Sequence, residues 1–420
     1  MATSRKGFYG WWALVGAMLV YFCGCCCCFY SIGVFIPVLC VELHSSLAAV
    51  TGVITLFMVL MGVVGPLIGF SIARFGARKN IIIGNLVTAL GLAGIYFVNE
   101  TWQLYLFFGV LVGLGQGFGM FIPTTTIANN WFMKRRSLAI SLIVAAGAIG
   151  GFAGPSLTNM LISSIGWRLA WVSLGGILLV LSVIIGGLLI RNRPEDMGQV
   201  PDGVVGVVVE ESSVAPSRVY QTPVDWKTGD ALRTPAIWMM VAVMIAQMFA
   251  LSTMTGHLVN YLENDLLFPG AIAAFVLGLL PGMSIIGRLG TGFLAMRFEV
   301  RHLAAIYLGL MIIAMAILMT TTSLAMIYLF AVLLGIGYGA IIPALPTLIG
   351  AYYGRTSYAQ IIGWTMPITT IIGATAAPLA GIVREATGSY TLWFIIVTAL
   401  LGVGLVLSFF ARPPKPKDLP

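Results

Sequence analysis

Along the 420 residues, long apolar stretches follow one another almost end to end, separated by short clusters of arginine, lysine, glycine and proline. An apolar run of about 18 residues or more, wound as an α-helix, is long enough to cross a hydrocarbon layer of roughly 30 Å. Twelve such runs are legible, at 11–41, 47–73, 80–98, 102–129, 137–164, 168–190, 236–263, 269–296, 301–320, 324–350, 357–383 and 389–411. The pattern predicts an all-α membrane protein with twelve transmembrane helices. The first run is too long for a removable leader and reads as a retained helix. Between 191 and 235 the apolar pattern lapses, and "RNRPEDMGQVPDG" carries charge, proline and glycine without a spanning stretch. The expected organisation is a six-helix bundle over 1–190, a cytoplasmic linker over 191–235 and a second six-helix bundle over 236–420.

Composition agrees with the pattern. Hydrophobic residues make up 59% of the chain and charged residues 9%, with a mean hydropathy of +1.01, which excludes a soluble globular domain. The formal net charge of +8 raises the question of a nucleic-acid partner, and the placement of the cations answers it. With the N-terminus in the cytoplasm, nineteen of the 22 cations fall on the cytoplasmic side, from Arg5 and Lys6 through Lys134, Arg135 and Arg136 to the Arg412–Lys417 tail. Only Arg168 and Arg384 fall outside, as the positive-inside rule requires. The charge therefore reads as topology: a multi-pass plasma-membrane protein of bacterial inner-membrane type, both termini cytoplasmic, with no nucleic-acid partner. The one cation left over is Arg288, inside the eighth run.

All six cysteines lie on the first run, at 23, 25–28 and 40. Consecutive residues on one helix point in different directions and cannot surround an ion, so the cysteines read as small packing residues and no metal or cofactor is expected. No Ser/His/Asp set or phosphate loop lies within the spans, which argues against an enzyme.

The two sets of six runs resemble each other. "GFGMFIP" at 117–123 answers "GYGAIIP" at 337–343, Arg135 answers Arg355 at the same offset of 220, and "GWRLAW" from Gly166 parallels "GSYTLW" from Gly388. An internal repeat of six helices is the mark of a transporter built from two bundles, with its substrate site near the membrane midplane.

The segment "GFSIARFGARK" at 69–79 resembles the cytoplasmic signature of the major facilitator superfamily, with Gly69, Arg74, Gly76, Arg78 and Lys79 at the family's spacing. It departs at Ala73, where the signature has an acid. Within that superfamily, "NNWFMKRRSLAISLIVAAGAIGG" (129–151), "GWRLAW" and "ALRTPAIWMM" (231–240) resemble the monocarboxylate transporters and the neighbouring oxalate/formate antiporters. The resemblance implies secondary transport by alternating access, with Gly69, Arg74, Gly76 and Arg78 as a conformational motif and a proton as co-substrate.

A cation in the body of a membrane helix costs about 2.5–3.5 kcal/mol on insertion scales and needs something to offset it. The fourteen acids of the chain fall in loops, tails or helix ends. Arg288 is near the twentieth residue of its run, about 8 Å to the cytoplasmic side of midplane at 1.5 Å per residue. Its planar guanidinium matches a carboxylate through two parallel hydrogen bonds, so a carboxylate substrate is the expected partner. Snorkelling of the side chain towards water is the bland alternative. Monocarboxylate transporters carry an arginine at this place, and Arg288 aligns with it. Where animal members of that group have an acid one turn earlier and a lysine in the first helix, this chain has Ser284 and Tyr30. The antiporter pattern's second cation, in the eleventh helix, is Pro367 here. One fixed cation suits one carboxylate, so lactate, pyruvate, acetate or formate is expected rather than oxalate.

Tyr338, between two glycines, and Tyr30 are further candidates for the substrate site. His257, a histidine well inside a span, is the candidate for proton coupling. Gln116 and Gln247 read as hydrogen-bonding across helices. The reading is a monomeric proton-coupled carrier of small monocarboxylates in the lipid bilayer; the alternatives are an oxalate/formate-type antiporter and a transporter-like sensor.

Overall fold

The computed structural model describes residues 8–203 and 219–415; Arg5, Lys6, Arg218, Lys417 and the middle of the linker lie outside the described residues. The described residues carry twelve long helical spans: α1 (Gly10–Glu42), α2 (Leu47–Val63 continued by Gly65–Phe75), α3 (Ala77–Phe97), α4 (Thr101–Trp131), α5 (Arg136–Ile165), α6 (Trp167–Leu189), α7 (Pro235–Asp265), α8 (Gly270–Leu294), α9 (Val300–Thr320), α10 (Leu324–Tyr353), α11 (Tyr358–Thr387) and α12 (Thr391–Phe410). The apolar pattern anticipated their number and order.

Several spans are less regular than the pattern implied. The two parts of α2 meet at 48°, because Pro66 has no N–H to bond the carbonyl one turn back. In α1 the cysteine run Cys25–Phe29 is wound as π-helix, so Tyr30 N–H donates to Cys25 O, five residues back, at 3.1 Å. The cysteines at 25–28 are buried there and all six are free thiols. Ser31 donates to the carbonyl of Cys26, and Thr158 of α5 donates to Ser31 at 2.6 Å, so the polar groups opened by the irregular winding are satisfied locally.

The chain divides into two compact units, Met1–Ser217 with Arg355–Trp364, and Arg218–Gly354 with Thr365–Pro420. Lipid tails are as apolar as leucine, so helices in a membrane are held by close packing, and small residues let backbones approach. In the first unit, a methyl group on Gly84 of α3 would lie 2.5 Å from the Gly119 nitrogen and 2.7 Å from the Gly115 carbonyl of α4. An aromatic core from α1, α2, α4 and α6 fills the rest: Phe35 stacks on Trp171 at 3.8 Å, and Phe108 packs against both Trp171 and Phe57.

The second unit reuses the glycine ladder against a different neighbour. Gly335 and Gly339, 220 residues beyond Gly115 and Gly119, face α8 rather than α9. A methyl on Gly335 would meet Met283 Cβ at 2.7 Å, and one on Gly339 would meet the backbone of Ser284. The physical difference lies in the winding. α4 is π-helical over Tyr105–Val112, just before its glycines, which turns the following face, whereas α10 is regular through Leu324–Ile341.

Of the five described glycines at positive φ, two also have a side chain standing where a Cβ would go. Gly76 (φ 83°), between α2 and α3, has the Asn192 amide 2.7 Å from where a Cβ would stand, and Gly354 (φ 87°), after α10, has Asp225 Oδ1 in that place.

Candidate functional site

The buried residues of α8 are Ala273, Val276, Leu280, Ser284, Gly287, Arg288, Thr291 and Gly292, a spacing of three and four that forms one stripe along the helix. Arg288 thus lies on the packed face and is 5% exposed, which disfavours a side chain stretched out to water. Gly287 is what brings the neighbouring helix so near: its Cα touches α10 at the Ile336 carbonyl, with no room for a Cβ. This backbone contact sets Tyr338 of α10 beside Arg288. The Tyr338 hydroxyl stands near enough to the side chains of Arg288 and Ser284 to feel both, and Ser284 Oγ donates to Pro281 O at 2.7 Å. One turn along, Thr291 donates to Ala340 O at 2.9 Å and stands near Tyr307 of α9.

Arg288, Tyr338, Ser284 and Thr291 therefore form a buried, hydroxyl-lined cationic cluster within the second unit. The fork of an arginine beside a phenol and an alcohol can bind a carboxylate in two-pronged fashion and add single hydrogen bonds to it. The carboxylates Glu42, Glu195, Glu299 and Asp265 pair with Arg168, Arg355, Arg301 and Arg384 respectively. Sequence reasoning used Ser284 only as a departure from a family pattern and passed over Thr291. The signal was available, since the two hydroxyls stand four before and three after Arg288, on its own helical face.

Tyr30 belongs to the first unit, where its ring fills the notch left by Gly151 of α5 and packs edge-on to Phe29. His257 is half-buried near the C-terminal end of α7. Its Nε2 lies 2.8 Å from Ala377 O of α11 and must donate to that carbonyl; in the neutral ring its Nδ1 accepts from the Tyr390 hydroxyl at 3.0 Å. Tyr390 also accepts from Asn260 Nδ2 at 3.1 Å and lies under Arg384, 4.9 Å from its ring centroid. Gln116 bonds across to Thr88 at 3.2 Å as expected, but Gln247 does not: both of its amide atoms are buried without a protein partner among the described residues.

The signature residues tie the first unit together. A methyl at Gly69 would lie 2.8 Å from Gln360 Cα, and one at Gly363 would meet the Gly65 carbonyl, so α2 and the start of α11 cross on four small residues, Gly65, Gly69, Ala359 and Gly363. Arg78 donates from Nε to Gly187 O at 3.0 Å, near the end of α6, and its backbone N–H donates to Asn192 Oδ1 at 2.8 Å. Arg74 lies over the Phe75 ring at 5.4 Å. Just beyond α6, Glu195 receives both prongs of Arg355, at 3.0 and 3.2 Å. Partial burial pushes the Glu195 carboxyl up, but the Arg355 hydrogen bonds, its own backbone and the charges of Arg355 and Arg193 outweigh this and hold it below its ordinary value. The pair's contribution is therefore fully present above the ordinary carboxyl range and is lost as pH falls through the lowered one.

The sequence matches the Major Facilitator Superfamily over residues 17–364 and 286–420. The chain belongs to that superfamily. It is 28% identical to the MFS transporter asaE of Aspergillus flavus over 429 residues, covering 97% of this chain and 90% of that protein. It is 26% identical to monocarboxylate transporter 13 of Bos taurus, covering 82% of this chain and 78% of that one. Among solved structures, a bacterial homologue of the iron transporter ferroportin, in an outward-facing state with soaked iron, superposes with a TM-score of 0.73 at 16% identity, covering 96% and 98% of the two chains. That likeness establishes the major facilitator fold. The protein is thus a multi-pass membrane transporter, not an enzyme.

Proposed function

We propose that this carrier moves small monocarboxylates, of the size of acetate, lactate or pyruvate, by alternating access together with protons, with Arg288 as the carboxylate anchor. The observation that carries the reading is the Arg288–Tyr338–Ser284 cluster: a permanent charge buried on a packed helix face and surrounded by hydroxyls. The similarity to proteins named monocarboxylate transporters supports the same substrate class. One guanidinium balances one carboxylate, which favours monoanions over oxalate. Tyr30 remains a candidate contact from the first unit. His257 is the candidate proton carrier, because a proton taken up at Nδ1 would turn it from acceptor to donor toward Tyr390 and so rearrange the bonds joining α7, α11 and α12.

Uptake of radiolabelled acids into proteoliposomes tests the reading. Monocarboxylates of two to four carbons should enter saturably, and faster under an inward proton gradient after correction for passage of the neutral acid. Exchange of oxalate in preference to these, or no saturable flux at all, would contradict it. Tyr338→Phe is expected to weaken substrate binding by about 0.5–1.5 kcal/mol, the net worth of one hydrogen bond, with normal expression. Unchanged affinity would return Tyr338 to a packing role.

A further inference from the structure

A second site is suggested by a cavity in the first unit, well away in sequence from the Arg288 cluster. It lies at the turn between α2 and α3, where Ala73, Asn130, Asn192, Arg193, Arg355 and Gln360 converge, with room of about 50 Å³ for water-sized occupants. A single water needs roughly 10–15 Å³ by the same measure, so the space admits an ion together with water. The polar residues that line it are arginines, amides and threonines, and among the described residues no acidic residue lines it. α11 begins at Tyr358, so the positive end of its backbone dipole also stands at this cavity. Asn130 and Asn192 are fixed in place: Asn130 Nδ2 donates to Asn192 O at 3.1 Å, and Asn192 Oδ1 accepts from Arg78 N–H. The Glu195–Arg355 pair braces one side of it.

With Glu195 offsetting one of the two arginines, the space keeps one net positive charge beside amide and hydroxyl side chains, and so is suited to a single negative charge. We propose that this cavity binds a small monovalent anion, chloride or a free carboxylate, between Arg193 and Arg355. The occupant supplies a negative charge at the point where α2, α4 and the start of α11 meet, and so strengthens that junction. Ala73 is the internal probe of the idea, because its methyl group lines the cavity and an aspartate there would place a tethered carboxylate inside it.

The test uses the purified full-length protein in detergent, in an Arg288→Gln background so that binding at the substrate cluster does not contribute. Thermal unfolding is followed at constant ionic strength while gluconate, too bulky for the cavity, is replaced by chloride or by acetate. Chloride, acetate or both should raise the midpoint saturably, and the anion that acts at the lower concentration identifies the occupant. Ala73→Asp should raise the midpoint in gluconate and abolish the response to added anion. Arg193→Gln, at an exposed position that tolerates change, should shift half-saturation upward by at least tenfold. A response that is unsaturable, equal in gluconate, or the same in the parent, Ala73→Asp and Arg193→Gln would overturn the proposal and leave the cavity as a water-filled cleft.

Discussion

Arg288→Gln is expected to abolish carboxylate uptake while leaving a carrier that inserts and folds at least as well as the parent. The argument sets two energies against each other. Removing a cation from the body of a membrane helix relieves about 2.5–3.5 kcal/mol of insertion cost. Removing it from a bound carboxylate forfeits charge-assisted hydrogen bonds worth about 1.5–3 kcal/mol each, so affinity should fall by at least tenfold and, for a two-pronged contact, by a hundredfold or more. Arg288→Lys should recover little, since an ammonium offers a point charge without the fork and can lose its proton when desolvated. Uptake in proteoliposomes, scored beside the size-exclusion profile and unfolding midpoint of each variant, separates the two effects. A misfolded Arg288→Gln rescued by neutralising an acid elsewhere would make Arg288 a structural ion-pair partner.

Gly287→Ala is expected to damage the fold itself. Alanine is the better helix former by about 1 kcal/mol, so on propensity alone the change would stabilise α8. The added methyl, however, would stand inside the van der Waals contact of the Ile336 carbonyl and 2.8 Å from the Ala340 nitrogen, both backbone atoms that cannot swing aside. Overpacking of this kind typically costs about 1–3 kcal/mol, and here it must part α8 from α10. Two glycines on the same helix provide the control: Gly278 and Gly282 have open space where a Cβ would go, so Gly278→Ala and Gly282→Ala should be neutral or slightly stabilising. Folded yield and unfolding midpoint should drop for position 287 alone. Equal behaviour at all three positions would mean that the α8–α10 contact is not limiting.

The number, order and repeat of the spans were legible because hydrophobic length and cation placement are properties of composition, which needs no knowledge of neighbours. Arg288 was legible for the same reason, as a charge in the wrong solvent. Its surroundings were not. That Tyr338 reaches Arg288 depends on Gly287 and Gly339 allowing two backbones to touch, and a glycine in a sequence does not say which helix it faces. Gly335 and Gly115 show this directly, since repeat-related positions turn to different partners once π-winding at Tyr105–Val112 rotates one of the two helices. The cysteine run was read as ordinary helix because the choice between α and π winding rests on tertiary contacts, here Ser31 and Thr158. His257 was visible as a titratable group in a span, but its place in a bonded set with Tyr390, Asn260 and Ala377 involves three separate helices and no local pattern.

The central claim, that Arg288 holds the substrate's carboxylate, is tested most directly by comparing lactate with lactamide, its neutral and nearly isosteric amide. Equilibrium binding of both is measured on the parent and on Arg288→Gln. The parent should bind lactate at least tenfold more tightly than lactamide, and Arg288→Gln should erase that preference by weakening lactate while leaving lactamide nearly unchanged. A preference for lactate that survives intact in Arg288→Gln would contradict the account, since the carboxylate would then be held by some other group.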